Sequence, residues 1–160
     1  MFSGPEIVSL LTELGFTHVV WIPDTAIGPW EKDLQASKQL ELVGVCREGE
    51  AWPLAAGLLL GGKQPLVVMQ TTGLFESGDA LRNVLYDLKL PVFALIGVRN
   101  ALVSESRDSA KTFAGPIVQA WQLNAVWIDS EADKPKFADH VRRCRAENVA
   151  GVAMLAEGGP

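Results

Sequence analysis

Apolar positions along this chain follow two rhythms in turn: short continuous runs, and stripes spaced three and four residues apart. The first stripe, Ile7, Leu10, Leu11 and Leu14, has helical spacing. Ser3-Gly4-Pro5-Glu6 opens it as a capping-box pattern, and Gly15 closes it. The first run, Thr17 to Ile22 (THVVWI), is β-branched and aromatic and ends at Pro23-Asp24-Thr25. A helix from about Pro29 to Ala36 and a second strand, Leu40 to Cys46, come next. The following helix should begin near Glu50, because Pro53 is tolerated best in a first turn, and should end at Gly61-Gly62. It reads as apolar on every side, as a buried helix does. Ala55, Ala56 and Gly57 would let another backbone approach it closely.

Pro65 to Gln70 (PLVVMQ) is a third strand, opening into a loop at Thr71-Thr72-Gly73-Leu74. A helix from about Gly78 to Leu88 points Leu81, Val84, Leu85 and Leu88 inward. The fourth strand, VFALIGV, empties at Arg99-Asn100, and Ser104 to Lys111 reads as a polar loop. A helix from about Pro116, a strand Ala125 to Ile128, a helix from about Lys134 to Ala146 and a strand Gly151 to Leu155 complete the pattern. Strand–helix alternation with uninterrupted apolar strands predicts an α/β fold of three layers, α/β/α, around a six-stranded parallel sheet. With no repeat, linker or low-complexity segment, residues 1–160 form a single domain.

Such sheets bind ligands outside the carboxyl ends of their strands. Asp24-Thr25, Arg47-Glu48, Gln70-Thr71-Thr72 and Arg99-Asn100 all fall on that rim. Strand ends also feed ordinary polar loops, so rim position alone does not assign a role. Two acids flank the start of the apolar helix, where negative charge also complements the helix dipole.

Composition narrows the chemistry. A net charge of -5 gives no basic surface for nucleic acid. The apolar run Leu54 to Leu60 is too short to span a bilayer, and the amino terminus has no signal-like region. Cys46 and Cys144 lack metal-ligand spacing and read as reduced, packed thiols of a cytoplasmic protein. His18 falls at the amino end of the first strand and His140 on a charged helix face, so neither serves a nucleophile at the rim. Dinucleotide and Walker phosphate motifs are absent from the sequence. A rim with carboxylates, amides and hydroxyls, but no base and no metal cluster, leaves the demanding step to a cofactor.

The run REGEAWPLAAGLLLGGKQPLVVMQTTGLFESGDALRN resembles the pyrimidine-binding domain of thiamine diphosphate enzymes, most of all the phosphonopyruvate and sulfopyruvate decarboxylase branch. WIPDT resembles that family's stretch after the first strand. The resemblance covers about Gly4 to Asn100 and implies the thiamine diphosphate-binding fold and an alpha-type subunit. It further implies that an acidic residue faces the aminopyrimidine ring and activates the cofactor. Counted back from Ala55-Ala56-Gly57, that residue is Glu48; Glu50 lies two positions too late. By the same resemblance Gln70, Thr71, Thr72 and Gly73 border the cofactor, while Asp24, Thr25 and Arg99 face a 2-oxo acid substrate. Lys111 and Arg107 are further candidates for a substrate anion, and a solvated loop accounts for them equally well.

The sequence departs from the family pattern at Phe75-Glu76, where relatives have Gly-Asn, at Leu58, and in lacking a histidine near Asp108 to Thr112. It also lacks the Gly-Asp-Gly motif through which the family holds the diphosphate and Mg2+; Gly78-Asp79-Ala80 does not supply it. The resemblance therefore implies that this chain binds no metal and carries half of a thiamine diphosphate site. A diphosphate-binding partner subunit would bring the Mg2+, and the helix over residues 50–61 would pair with a second copy. A non-catalytic regulatory module and a carboligase subunit are the alternative readings.

Overall fold

The structure is a computed structural model and describes residues 2–24 and 27–158. Six parallel strands form one sheet in the order β2-β1-β3-β4-β6-β5. They are β1 (His18–Trp21), β2 (Glu41–Gly44), β3 (Pro65–Gln70), β4 (Phe93–Val98), β5 (Ala125–Ile128) and β6 (Gly151–Ala156). The central strands β3, β4 and β6 are buried almost throughout. That burial explains their unbroken apolar sequences, since both faces meet helices.

One face carries α1 (Gly4–Glu13), α2 (Glu31–Ala36) and α7 (Lys134–Glu147); the other carries α3 (Glu48–Leu60), α4 (Thr71–Glu76), α5 (Gly78–Arg82) and α6 (Ser109–Ala120). The first core packs Ile7, Leu11, Leu34 and Phe137 on Trp21, Val68, Leu95 and Leu155. The second packs Trp52, Ala55, Leu81 and Val118 on Val20, Val67, Ile96 and Met154. The order in which strands are added reverses between β1 and β3, and in sheets of this kind such a switch point at the carboxyl rim is where ligands bind. The capping box at Ser3 and Glu6 forms as its sequence implies.

Several elements differ from the sequence expectation. α3 begins at Glu48, so Pro53 lies inside the helix, where it removes one backbone hydrogen bond. Burial of Trp52, with its indole N–H donating to Ser77 Oγ at 2.9 Å, holds the helix regardless. The helix is also not buried all round. Ala51, Trp52, Ala55 and Ala56 face the core, while Pro53, Leu54, Gly57 and Leu60 face outward, with Leu60 74% exposed. Thr71–Glu76 is helical rather than a loop, and α6 starts at Ser109, which places Pro116 in its interior. Beyond α5 the chain continues as a π turn, Asn83–Asp87. The extra residue in that turn rotates Leu88 off the core face, leaving it exposed.

Two further expectations are corrected on side chains. His140 is buried, not on a charged face: Arg143 donates to its Nδ1 at 2.7 Å, and Nε2 donates to the Asn124 carbonyl at 3.0 Å. Burial lowers its pKa, and it packs against the Phe93 ring as a neutral core residue. Cys144 is packed as expected, but Cys46 is exposed. Among the described residues no helix is long and apolar enough to cross a membrane.

Candidate functional site

The carboxyl rim is built from the ends of β2, β1, β3, β4 and β6. β2 delivers Arg47 in extended backbone and Glu48 as the first residue of α3. The two acids at this helix start have different duties. Glu50 Oε2 accepts the backbone N–H groups of Cys46 at 3.0 Å and Arg47 at 3.3 Å, and so caps the helix. Glu48 is partly buried, and its carboxylate makes no hydrogen bond among the described residues. Its side chain lies over Gly73 at the start of α4: a Cβ at position 73 would stand 2.4 Å from Glu48 Cγ and 2.8 Å from Oε1. Only glycine permits this contact.

The β3 end turns directly into α4. Thr71 is fully buried and donates its hydroxyl to the Gly97 carbonyl at 2.9 Å, tying the ends of β3 and β4 together. Gln70 is partly buried, and its Oε1 is buried without a hydrogen-bond partner among the described residues. Thr72 is partly buried and Gly73 buried. Glu48, Gln70, Thr71, Thr72 and Gly73 thus lie together at the carboxyl end of β3.

The residues assigned to substrate are arranged differently. Asp24 Oδ1 accepts from the Ile27 amide at 2.8 Å, shaping the turn after β1. Thr25 lies outside the described residues. Arg99 forms a two-bond ion pair with Asp108, Nε to Oδ2 at 2.7 Å and Nη2 to Oδ1 at 3.1 Å. Asp108 also accepts from Asn100 and from the Ala110 amide, so it is at once the N-cap of α6 and the anchor of Arg99. These contacts hold its pKa well below the usual carboxylate range, the Arg99 guanidinium contributing most. Lys111 sits on α6 and donates to the Val103 carbonyl at 2.6 Å. Arg107 is exposed. Arg99 and Lys111 therefore both have protein partners in this chain.

Sequence reading passed over Glu157. It follows β6, is 2% exposed, and its Oε1 has no hydrogen-bond partner among the described residues. Its backbone is pinned on both sides, N–H to the Val98 carbonyl and C=O to the Leu102 amide. The carboxyl lies against the α-carbon of Gly97, where a Cβ would come within 1.9 Å of Oε1. Burial, reinforced by the charge of Asp24, pushes its pKa up to about 8. Ala153, Leu155 and Glu157 alternate onto one face beside a strand carrying Gly97, and that pattern was the available signal. A cavity of about 300 Å³ lined by Phe16, Pro65, Pro91 and Phe93 lies at the other end of the sheet, away from all these groups.

No family model matches the chain. Phosphonopyruvate decarboxylases of Streptomyces hygroscopicus and Streptomyces viridochromogenes are each 28% identical to it over 95 residues, covering 59% of this chain and 24% of theirs. Sulfopyruvate decarboxylase subunit alpha of Methanococcus maripaludis is 24% identical over 102 residues, 64% of this chain and 61% of that subunit. The chain thus spans about a quarter of the length of the phosphonopyruvate decarboxylases it matches. Among solved structures, a Mycobacterium smegmatis protein assigned as a thiamin diphosphate-dependent enzyme superposes with a TM-score of 0.70 at 19% identity, covering 97% of this chain and 30% of that one. The thiamine diphosphate-dependent 4-hydroxybenzoylformate decarboxylase of Rhodococcus jostii RHA1 gives 0.69 at 20% identity, over 97% of this chain and 30% of that one.

The fold is that of the thiamine diphosphate-dependent enzymes. The relatives are consistent with a pyrimidine-type domain. The departure at Phe75-Glu76 has a local structural consequence. Glu76 Oε1 accepts from Arg47 Nη2 at 2.5 Å, and its Oε2 accepts from the Gly49 amide at 2.7 Å. Arg47 lowers the Glu76 pKa, with the Gly49 amide adding to the effect. Glu76 thereby clamps α4 to the first turn of α3 and brackets Glu48 between two fixed neighbours. Among the described residues no three His, Cys, Asp or Glu side chains cluster as metal ligands.

Proposed function

We propose that this chain is the pyrimidine-binding subunit of a split thiamine diphosphate-dependent decarboxylase acting on a 2-oxo acid of the phosphonopyruvate or sulfopyruvate type. The observation that carries the proposal is Glu48: a carboxylate at the switch-point rim, uncommitted to any hydrogen bond among the described residues and laid over a glycine where any Cβ would displace it. Glu50, two residues away, is spent on capping. Bound cofactor would supply an electron sink for the carbanion that decarboxylation generates. Glu48 would hydrogen-bond the aminopyrimidine, and a carboxylate shielded by a docked partner makes a strong charge-assisted bond of this kind. Gln70, Thr72 and the Gly73 backbone would line the ring and the substrate beside it.

The other half of the site, diphosphate and Mg2+, belongs on this reading to a diphosphate-binding partner subunit. The relative named as subunit alpha supports a two-chain enzyme. The outward face of α3, with Pro53, Leu54, Gly57 and Leu60, supports association with a second copy. The test is to combine the chain with a diphosphate-binding subunit, thiamine diphosphate and Mg2+, and to follow CO2 release from phosphonopyruvate and sulfopyruvate. Turnover that needs both chains and is lost in Glu48→Gln supports the assignment; unchanged turnover in Glu48→Gln rejects it.

A further inference from the structure

Glu76 reaches out of α4 to both residues that flank Glu48. Its Oε1 accepts from Arg47, Nη2 at 2.5 Å and Nε at 3.2 Å, and its Oε2 accepts from the Gly49 amide at 2.7 Å. The Gly49 N–H is one of the orphan donors of a helix start, and Glu50 serves the amides of Cys46 and Arg47 instead. Glycine is also the least restrained backbone, so the turn that carries Glu48 is fastened from outside at its loosest point. Gly73 and Glu76 are three residues apart in α4 and share a face of that helix. One face thus supplies the space that Glu48 fills and the group that fixes the chain on either side of it.

The Arg47 guanidinium gives Glu76 a second effect. The charges of Glu76, Glu50 and Glu48 all act on it, Glu76 most strongly. Of these three acids, it is Glu76 that hydrogen-bonds the guanidinium. Without Glu76, the cation would be left with Glu50, already committed to two backbone amides, and with the uncommitted Glu48. Arginine and carboxylate form strong charge-assisted bonds. An Arg47–Glu48 pair would therefore occupy the carboxylate that the decarboxylase reading gives to the aminopyrimidine. Glu76 stands where the sequence departs from the family pattern, so the arrangement belongs to this chain.

We propose that Glu76 is a positioning residue for Glu48: it fastens the turn that lays Glu48 across Gly73, and it draws the Arg47 guanidinium away from the Glu48 carboxylate. This deepens the decarboxylase reading and rests on it for what Glu48 does. On that reading Glu76 has no contact with substrate, so its loss acts on the chemical step and not on substrate affinity.

The test has two arms. In the chain alone, the carboxyl carbon NMR resonance of Glu48 is assigned by its loss in Glu48→Gln, and hydrogen exchange is followed at the Gly49 amide. Glu76→Ala should speed Gly49 exchange about tenfold or more and shift the Glu48 resonance. In the chain partnered with a diphosphate-binding subunit, thiamine diphosphate and Mg2+, turnover is measured on phosphonopyruvate and sulfopyruvate. Glu76→Ala should lower kcat about tenfold or more and leave KM within about twofold. Adding Arg47→Gln to Glu76→Ala should recover about threefold or more of that kcat, a rescue that loss of a merely stabilising contact does not give. Arg82→Gln breaks the exposed ion pairs of α5 with Asp79 and Asp87, and should leave kcat within about twofold of wild type. A Glu48 resonance and a Gly49 amide both indifferent to Glu76→Ala overturn the proposal, as does a kcat that Arg47→Gln does not recover. The two readings fail separately. Glu48-dependent turnover that keeps its wild-type kcat in Glu76→Ala removes only the positioning role; a Glu48 resonance that follows Glu76, with no turnover in the partnered wild type, removes only the decarboxylase.

Discussion

The side chain of Glu48 lies across the α-carbon of Gly73, with its Cγ 2.4 Å from where a Cβ at that position would sit. The acid that begins α3 and the glycine that begins α4 therefore occupy shared space. Gly73→Ala should push the Glu48 carboxylate aside without breaking the core, because the far end of that side chain is only partly buried. Activity of the partnered chain should drop by about tenfold or more from such a displacement, with the melting temperature nearly unchanged. Steady-state kinetics beside thermal denaturation would check it; wild-type activity in Gly73→Ala would show that Glu48 need not lie there.

Glu157 makes stability depend on pH in an unusual direction for a carboxylate. Its folded pKa of about 8 stands above the ordinary value of 4.5. Below the lower value the acid is neutral in both states and costs nothing. As pH rises from 4.5 toward 8 the unfolded chain releases its proton while the folded chain retains it, so stability is progressively lost. Glu157→Gln should therefore melt higher than wild type in mildly alkaline buffer, and the gap should close near pH 4.5. Melting temperatures of both proteins across that range measure it.

Asp108 should behave in the opposite sense. Its pKa is held down, first by Arg99, so its contribution is present above the ordinary value of 3.8 and is lost as pH falls below it. Asp108→Asn removes the ion pair with Arg99 and weakens the cap of α6. A loss of about 1–3 kcal/mol is expected in chemical denaturation at neutral pH. The difference from wild type should shrink in acid.

Leu54 and Leu60 are 37% and 74% exposed on the outward face of α3. Leu54→Glu should leave the melting temperature of the dilute chain unchanged and abolish concentration-dependent association in sedimentation velocity. A wild-type chain that stays monomeric at all concentrations would refute pairing through this helix.

The sheet could be read from the sequence because its strands are unbroken apolar runs bounded by proline, glycine and polar turns. Burial on both faces leaves few other sequences possible. The choice of Glu48 over Glu50 rested on family spacing, while the structure separates the two acids by their hydrogen bonds. Other features were hidden for physical reasons. Thr71-Thr72-Gly73 has poor helix propensity and forms α4 through packing and the Glu76 clamp. Pro53 implied a helix start, yet tertiary burial of Trp52 outweighs the lost bond. His140 sits among Asp139, Arg142 and Arg143, and only its spacing from Phe137 and Cys144 marks it as inward. Glu157 resembles a solvated strand-end charge until the neighbouring strand is known to offer a glycine.

β2, from whose carboxyl end Glu48 departs, is the outermost strand on its side of the sheet and the most exposed along its length. Glu157 instead leaves β6, which is bonded to neighbours on both sides. One acid thus hangs from the border of the sheet, held in place by the Glu76 clamp on Arg47 and Gly49, the other from a strand braced on both sides. Whatever docks along that border can shift the first by small changes in local twist while leaving the second where it is.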